Sequence, residues 1–154
     1  MGEHLLRRRL ERGLVRAHAA REMGVTREAL TAWESGRTPP SEFWPRIVSF
    51  LGYDPSPKAE TLGQRLAAAR RSLGLTVKAL AAEAGCDREA IGNWERNRSR
   101  PTGLHAKRLA ICLASGEPTD PAILSELSIL AELPSWPTYN LLMETLKHVK
   151  SQPD

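Results

Sequence analysis

Residues 85–101 read GCDREAIGNWERNRSRP, and this stretch decides the fold. Asp87 is a good N-cap, because its carboxylate can accept a free backbone N–H of a helix's first turn. Ala90, Ile91 and Trp94 share one face at i, i+1 and i+4, so they should point into a core. Arg88, Glu89 and Asn93 are left facing out, and Arg96, Arg98 and Arg100 follow at every second position. A rigid helix showing Arg, Glu and Asn, next to a loop of cations, has the chemistry to meet base edges and phosphates in a DNA major groove. A solvated charge run is the weaker account of the loop, because its cations sit against a helix end and recur in part at Arg37.

The same pattern stands 61 residues earlier without a gap. RGLVRAHAAREMGVTREALTAWESGRTPP (12–40) lies over LGLTVKALAAEAGCDREAIGNWERNRSRP (73–101). Identical pairs include Arg9/Arg70, Gly24/Gly85, Arg27/Arg88, Glu28/Glu89, Trp33/Trp94, Glu34/Glu95, Arg37/Arg98 and Pro40/Pro101. Chance does not produce that run, so the chain is a tandem duplication. In the second copy Thr61 caps a helix with Gln64 at the capping-box spacing, and Leu62, Leu66, Ala69 and Leu73 form its stripe before Gly74. Thr76 caps a second helix through Ala84, with Leu80 facing inward, and Pro101 and Thr102 open a fourth helix to about Leu113. The first copy's fourth helix is SEFWPRIVSFL, with Phe43, Ile47, Phe50 and Leu51 on one face and Gly52 as its stop. YDPSPKAE (53–60) is an extended linker that spans at most about 28 Å.

Charge divides the chain further. Residues 1–54 carry net +2, residues 55–116 carry +6, and residues 117–154 carry −4. The middle is drawn to nucleic acid and the tail is repelled by it. The tail still has helical stripes, Ile123, Leu127 and Leu130 in 119–133 and Tyr139, Leu142, Met143, Leu146 and Val149 in 137–149. They pack on their own domain or offer a surface to a second copy or a partner. No apolar run approaches the roughly 20 residues that span a bilayer. Cys86 and Cys112 make no disulfide framework or zinc ribbon, and His4, His18, His105 and His148 lack ligand spacing. Cys86 is a small buried hydrophobe before it is a redox switch, and Trp33 and Trp94 are core residues before they are stacking platforms. Gly-rich phosphate loops, nucleophile elbows and paired carboxylates are absent from the sequence, so an enzyme is a distant expectation.

The helix–Gly-turn–helix, with Trp-Glu closing its second helix and a basic loop before Pro, resembles the phage-repressor/Cro (XRE, lambda-repressor-like) helix-turn-helix family. The resemblance covers about residues 2–52 and 61–115. The pair joined through FLGYDP also resembles a bacterial regulator subtype in which two such units are fused. An all-α fold is implied: two lambda-repressor-like domains in tandem (1–52 and 61–116), a linker (53–60) and a C-terminal helical extension (117–154).

The resemblance also implies roles. In the family the motif's second helix lies in the major groove. The base-contacting residues would be Arg88, Glu89 and Asn93, with Arg27, Glu28 and Thr31 in the first unit, where Ala32 stands in place of Asn93. Arg88 can clamp guanine, Asn93 can pair with adenine and Glu89 can accept from cytosine. Phosphate contacts would come from Thr76, Lys78, Arg96, Arg98, Ser99 and Arg100, and from Arg16, Arg37 and Thr38. The family's Arg–Glu tie between first and recognition helices maps onto Arg70–Glu95 and Arg9–Glu34, a structural role.

Departures mark the first unit as the poorer reader. The family's usual Gln is Val77 in the second unit and Arg16 in the first, while Ala19 and Arg12 replace the counterparts of Leu80 and Leu73. The first core should be thinner, with Phe43, Phe50 and Trp44 in compensation. The resulting expectation is a cytoplasmic regulator, repressor or activator, that occupies double-stranded operator DNA with no cofactor and no metal. Its two units act as a pseudo-dimer, or two chains pair through the tail or the first unit. The alternative is an antitoxin-like or adaptor protein whose C-terminal helices bind a partner protein, with autoregulatory DNA binding.

Overall fold

The computed structural model describes residues 1–114 and 120–132, and every regular element among them is helical. The first unit comprises α1 (Gly2–Glu11), α2 (Arg16–Glu22), α3 (Arg27–Glu34), a short 3-10 turn at Ser41–Phe43 and α4 (Trp44–Leu51). Thr26 opens α3 with its hydroxyl oxygen, which accepts the Ala29 N–H at 3.1 Å. Pro45 sits in the first turn of α4, where its missing N–H has no partner to lose, and Gly52 ends the helix at φ 82°. The core gathers Leu5, Ala19, Ala20, Met23, Leu30, Trp33, Ile47, Phe50 and Leu51.

One sequence expectation for this core, the compensation by Trp44, is corrected. Arg12 does not fill the place that Leu73 takes against the second core: its guanidinium lies over the Phe50 ring at 5.2 Å and donates to both Glu22 oxygens at 2.7 and 3.0 Å. A long cation thus covers the edge of an apolar core while its head stays paired. Trp44 does not fill the core either. It is buried but belongs to neither apolar cluster, and Arg71 of the second unit stacks on it at 5.0 Å.

The second unit repeats the layout as α5 (Leu62–Ser72), α6 (Val77–Ala84), α7 (Arg88–Glu95) and α8 (Gly103–Ala114). The expected capping box is formed: Thr61 Oγ1 accepts the Gln64 N–H at 3.2 Å, and Gln64 Oε1 accepts the Thr61 N–H at 3.2 Å. Thr76 Oγ1 caps α6 through the Ala79 N–H at 3.1 Å. Gly85 turns the chain at φ 64°, a left-handed conformation that side-chain-bearing residues resist. Asp87 holds the N-cap position of α7, yet its carboxylate takes no bond from the first turn. As an exposed anion at a helix N-terminus it still gains charge–dipole attraction without one.

The tail's first helix, α9 (Pro121–Glu132), packs on this unit. Ile123, Leu127 and Leu130 are buried in one apolar cluster with Leu62, Leu66, Leu80, Ile91, Trp94, Leu109 and Leu113. An ion pair between Arg65 and Glu126 closes its edge against α5. The helix expected over 137–149 lies outside the described residues. Between the units, α4 and the 3-10 turn rest on α5.

Candidate nucleic-acid interface

The second unit's helix-turn-helix is α6 and α7, and their shared surface is an open groove of about 1110 Å³. Thr76 and Lys78 enter from α6, Arg88, Glu89 and Asn93 from α7, and Arg96 and Ser99 from the loop beyond. All of them are exposed except Asn93, which is half-buried. Ile91 and Trp94 face the other way and are buried, so one helix divides into a core face and an open polar face. Arg96 Nη2 reaches the Asn93 Oδ1 at 3.5 Å, a long bond that an incoming acceptor can replace. Arg98 and Arg100 are exposed but lie outside the groove, and neither has a side-chain hydrogen bond or ion pair among the described residues. They flank the concave surface, on the loop where a phosphate backbone would pass.

The helix is held from behind. Arg70 donates from Nε and Nη2 to the two Glu95 oxygens at 2.6 and 3.2 Å, a bidentate pair tying α5 to the end of α7. Arg9 and Glu34 repeat it at the same distances. Gly63 lets α5 come this close, since a Cβ there would strike the carbonyls of Trp94 and Glu95. At the start of the loop Asn97 adopts φ 56°, its Oδ1 accepts the Gly63 N–H at 3.0 Å, and its Nδ2 donates to Thr61 Oγ1 at 2.9 Å. The sequence reading passed over Gly63 and Asn97. The signal was present, because Asn97 aligns with Gly36, and Asn is the side chain best suited to a left-handed position that glycine otherwise fills.

The first unit carries a weaker version of this surface. Arg27, Glu28, Arg37 and Thr38 are exposed, but Arg16 Nε is bound to Glu34 Oε2 at 2.7 Å. The Arg16 charge expected to seek phosphate is therefore already paired. Burial pushes the Glu34 carboxyl up, but the bonds from Arg9 and Arg16 outweigh it and hold it below the usual carboxylate range. Thr31, expected to meet bases, is half-buried and donates its hydroxyl to the Arg27 carbonyl at 2.8 Å. Ser35, in the place of Arg96, likewise donates to the Thr31 carbonyl at 2.9 Å. In the second unit burial pushes the Cys86 and Cys112 thiols up, so thiolate is scarce and both act as small apolar groups of the core edge.

Residues 1–60 match a family described as helix-turn-helix domain, and residues 66–115 match another described as helix-turn-helix. The chain is a tandem helix-turn-helix protein. It is of the phage-repressor/Cro type, a class of DNA-binding transcription regulators. No curated protein and no solved structure matches the chain. In this helix-turn-helix protein no described helix is long and apolar enough to cross a membrane.

Proposed function

We propose that the protein regulates transcription, as repressor or activator, by sequence-specific binding of double-stranded operator DNA, with the second unit as its principal reader. One observation carries this: Arg88, Glu89 and Asn93 share a single open groove with Thr76, Lys78, Arg96 and Ser99. Base readers and phosphate holders thus converge on one surface of a rigid helix pair. Arg98 and Arg100 add sequence-independent attraction at its margin. In the first unit Arg27 and Glu28 retain exposed side chains, but Arg16 is bound to Glu34 and Ala32 has no hydrogen-bonding group. Its share of base reading is correspondingly small. Two-fold operators, with half-sites about one helical turn apart, would be met by pairing two second units.

Sequencing the DNA fragments bound by the intact protein tests the reading. Variants altered at Arg88 and Asn93 should lose the recovered motif, whereas variants at Arg27 and Glu28 should keep most of it. A motif unchanged by the Arg88 and Asn93 substitutions would remove α7 from base reading.

A second reading, an adaptor or antitoxin-like protein that docks a partner protein, is favoured by one observation. Leu104, Ile111 and Ile129 on α8 and α9 are each about three-fifths exposed, an unusual set of large apolar side chains for two adjacent helices. Co-purification of a stoichiometric partner, lost when the exposed Leu104, Ile111 and Ile129 are replaced by serine in the full chain, would support it.

A further inference from the structure

Arg70 stands where the two units meet. Beyond its two bonds to Glu95, its Nη1 donates to the Leu75 carbonyl at 2.8 Å and to Ser41 Oγ at 2.9 Å. Ser41 belongs to the first unit, at the head of the 3-10 turn before α4. Two neighbouring contacts reinforce the junction: Arg71 stacks on Trp44, and Pro45 approaches Gly74 so closely that a Cβ there would lie 3.4 Å from it. The Arg70 side chain is 9% exposed, so its donors have little access to water in place of protein acceptors.

The matching pair in the first unit is completed differently. There Arg9 Nη1 donates to the Leu14 carbonyl, and Glu34 receives a second cation, Arg16, from the same unit. In the second unit Val77 occupies the position of Arg16, so Glu95 has no such second cation. What closes the second pair comes from across the junction, as the Ser41 hydroxyl oxygen.

We propose that the first unit braces the reader of the second, with Ser41 as a positioning residue that acts through Arg70 and Glu95 on α7. The proposal rests on the reading of α7 as the base-reading helix. Without the Ser41 oxygen, a buried guanidinium donor loses its acceptor, and the tie between α5 and the end of α7 slackens. Arg88 and Asn93 lie on that helix, and loss of their fixed aim weakens base contacts that depend on sub-ångström placement.

Hydrogen exchange on the full chain tests the brace without DNA. Ser41→Ala should speed backbone exchange in 62–75 and 88–98 by about tenfold, as expected for one lost bond to a charged group. Exchange in 2–34 should be unchanged, and Ser41→Thr, which keeps the oxygen, should restore the wild-type rates. Acceleration confined to 41–51 would mean that Ser41 serves only its own turn, and the proposal falls. Affinity for DNA fragments recovered with the wild-type protein is measured in parallel. Ser41→Ala should weaken it about fivefold with the salt slope unchanged, because no phosphate contact is removed. Faster exchange at 88–98 with affinity intact would uphold the brace and remove base reading from α7. Unchanged exchange at 88–98 would overturn the brace and leave that reading standing.

Discussion

Asn93 and Arg98 occupy the same few turns of chain and should fail in different ways. Asn93 lies in the groove, where its amide can pair with one base, so Asn93→Ala should cost about 1–3 kcal/mol on the recovered operator and little on scrambled DNA. Arg98 lies outside the groove, and Arg98→Ala should weaken both sequences alike and lower the salt slope by about 1. Titrations of both variants at several salt concentrations separate the two roles. Glu34 gives a residue-scale prediction about stability. Its folded-state pKa is depressed, so its stabilisation is complete above the unfolded value of about 4.3 and is lost as pH falls through the folded value. Glu34→Gln should lower stability by about 2–3 kcal/mol at neutral pH and flatten the acid limb of the pH–stability curve. The outward-facing polar side of α7 was legible in sequence because it follows from the local period of one helix. The pairing of Arg16 was not, because its partner Glu34 lies 18 residues on and faces it only once α1, α2 and α3 are packed.

Among the elements, α5 and α7 are held at a separation that glycine alone permits. An added Cβ at Gly63 would meet the Trp94 and Glu95 carbonyls, and one at Gly2 would lie 2.6 Å from the Trp33 carbonyl. Backbone atoms cannot swing aside as a side chain can, so Gly63→Ala should push α5 from α7 and cost about 1–3 kcal/mol. Urea unfolding should show this loss, and the motif recovered from DNA should weaken with it, because the Arg70–Glu95 bond is stretched by the same movement. The helices of the second unit were legible from caps and stripes, since Thr61, Thr76 and Gly74 act over a turn or less, and α4 from its stripe and Gly52, whereas α1 and α2, which start without a side-chain cap, were legible only through the repeat. Two local details escaped. The 3-10 turn at Ser41–Phe43 precedes α4 because Pro45 has no N–H to donate to the Ser41 carbonyl, and Ser41 Oγ accepts from Arg70 across the junction. Asp87 takes its place at the head of α7 without the directed bond its side chain could make.

For the whole molecule, the repeat made the two units plain and concealed how they differ. An alignment shows which residues match, and three of the residues at the junction, Ser41, Trp44 and Arg71, have no matching role in the other copy. The acidic tail is the other departure from the repeat. Its charge set it apart from the basic unit before it, yet the Ile123–Leu127–Leu130 stripe belongs to the same apolar cluster as Leu109 and Leu113. Burial of side chains of this kind is worth about 1.5–3 kcal/mol each, so α9 should supply several kcal/mol to the second unit. A chain ending after residue 116 should therefore lose most of the stability of that unit, whereas one ending after Glu132 should keep it. Thermal melting followed by helical circular dichroism distinguishes them. Equal melting of the two truncations would mean that α9 is only laid against the core. Fusing Leu66→Ala into the longer form then sets the scale, since it empties a fully buried site of the same cluster at a cost of about 2–5 kcal/mol. If α9 is integral, removing it should cost at least as much as that substitution, and the second unit extends to Glu132.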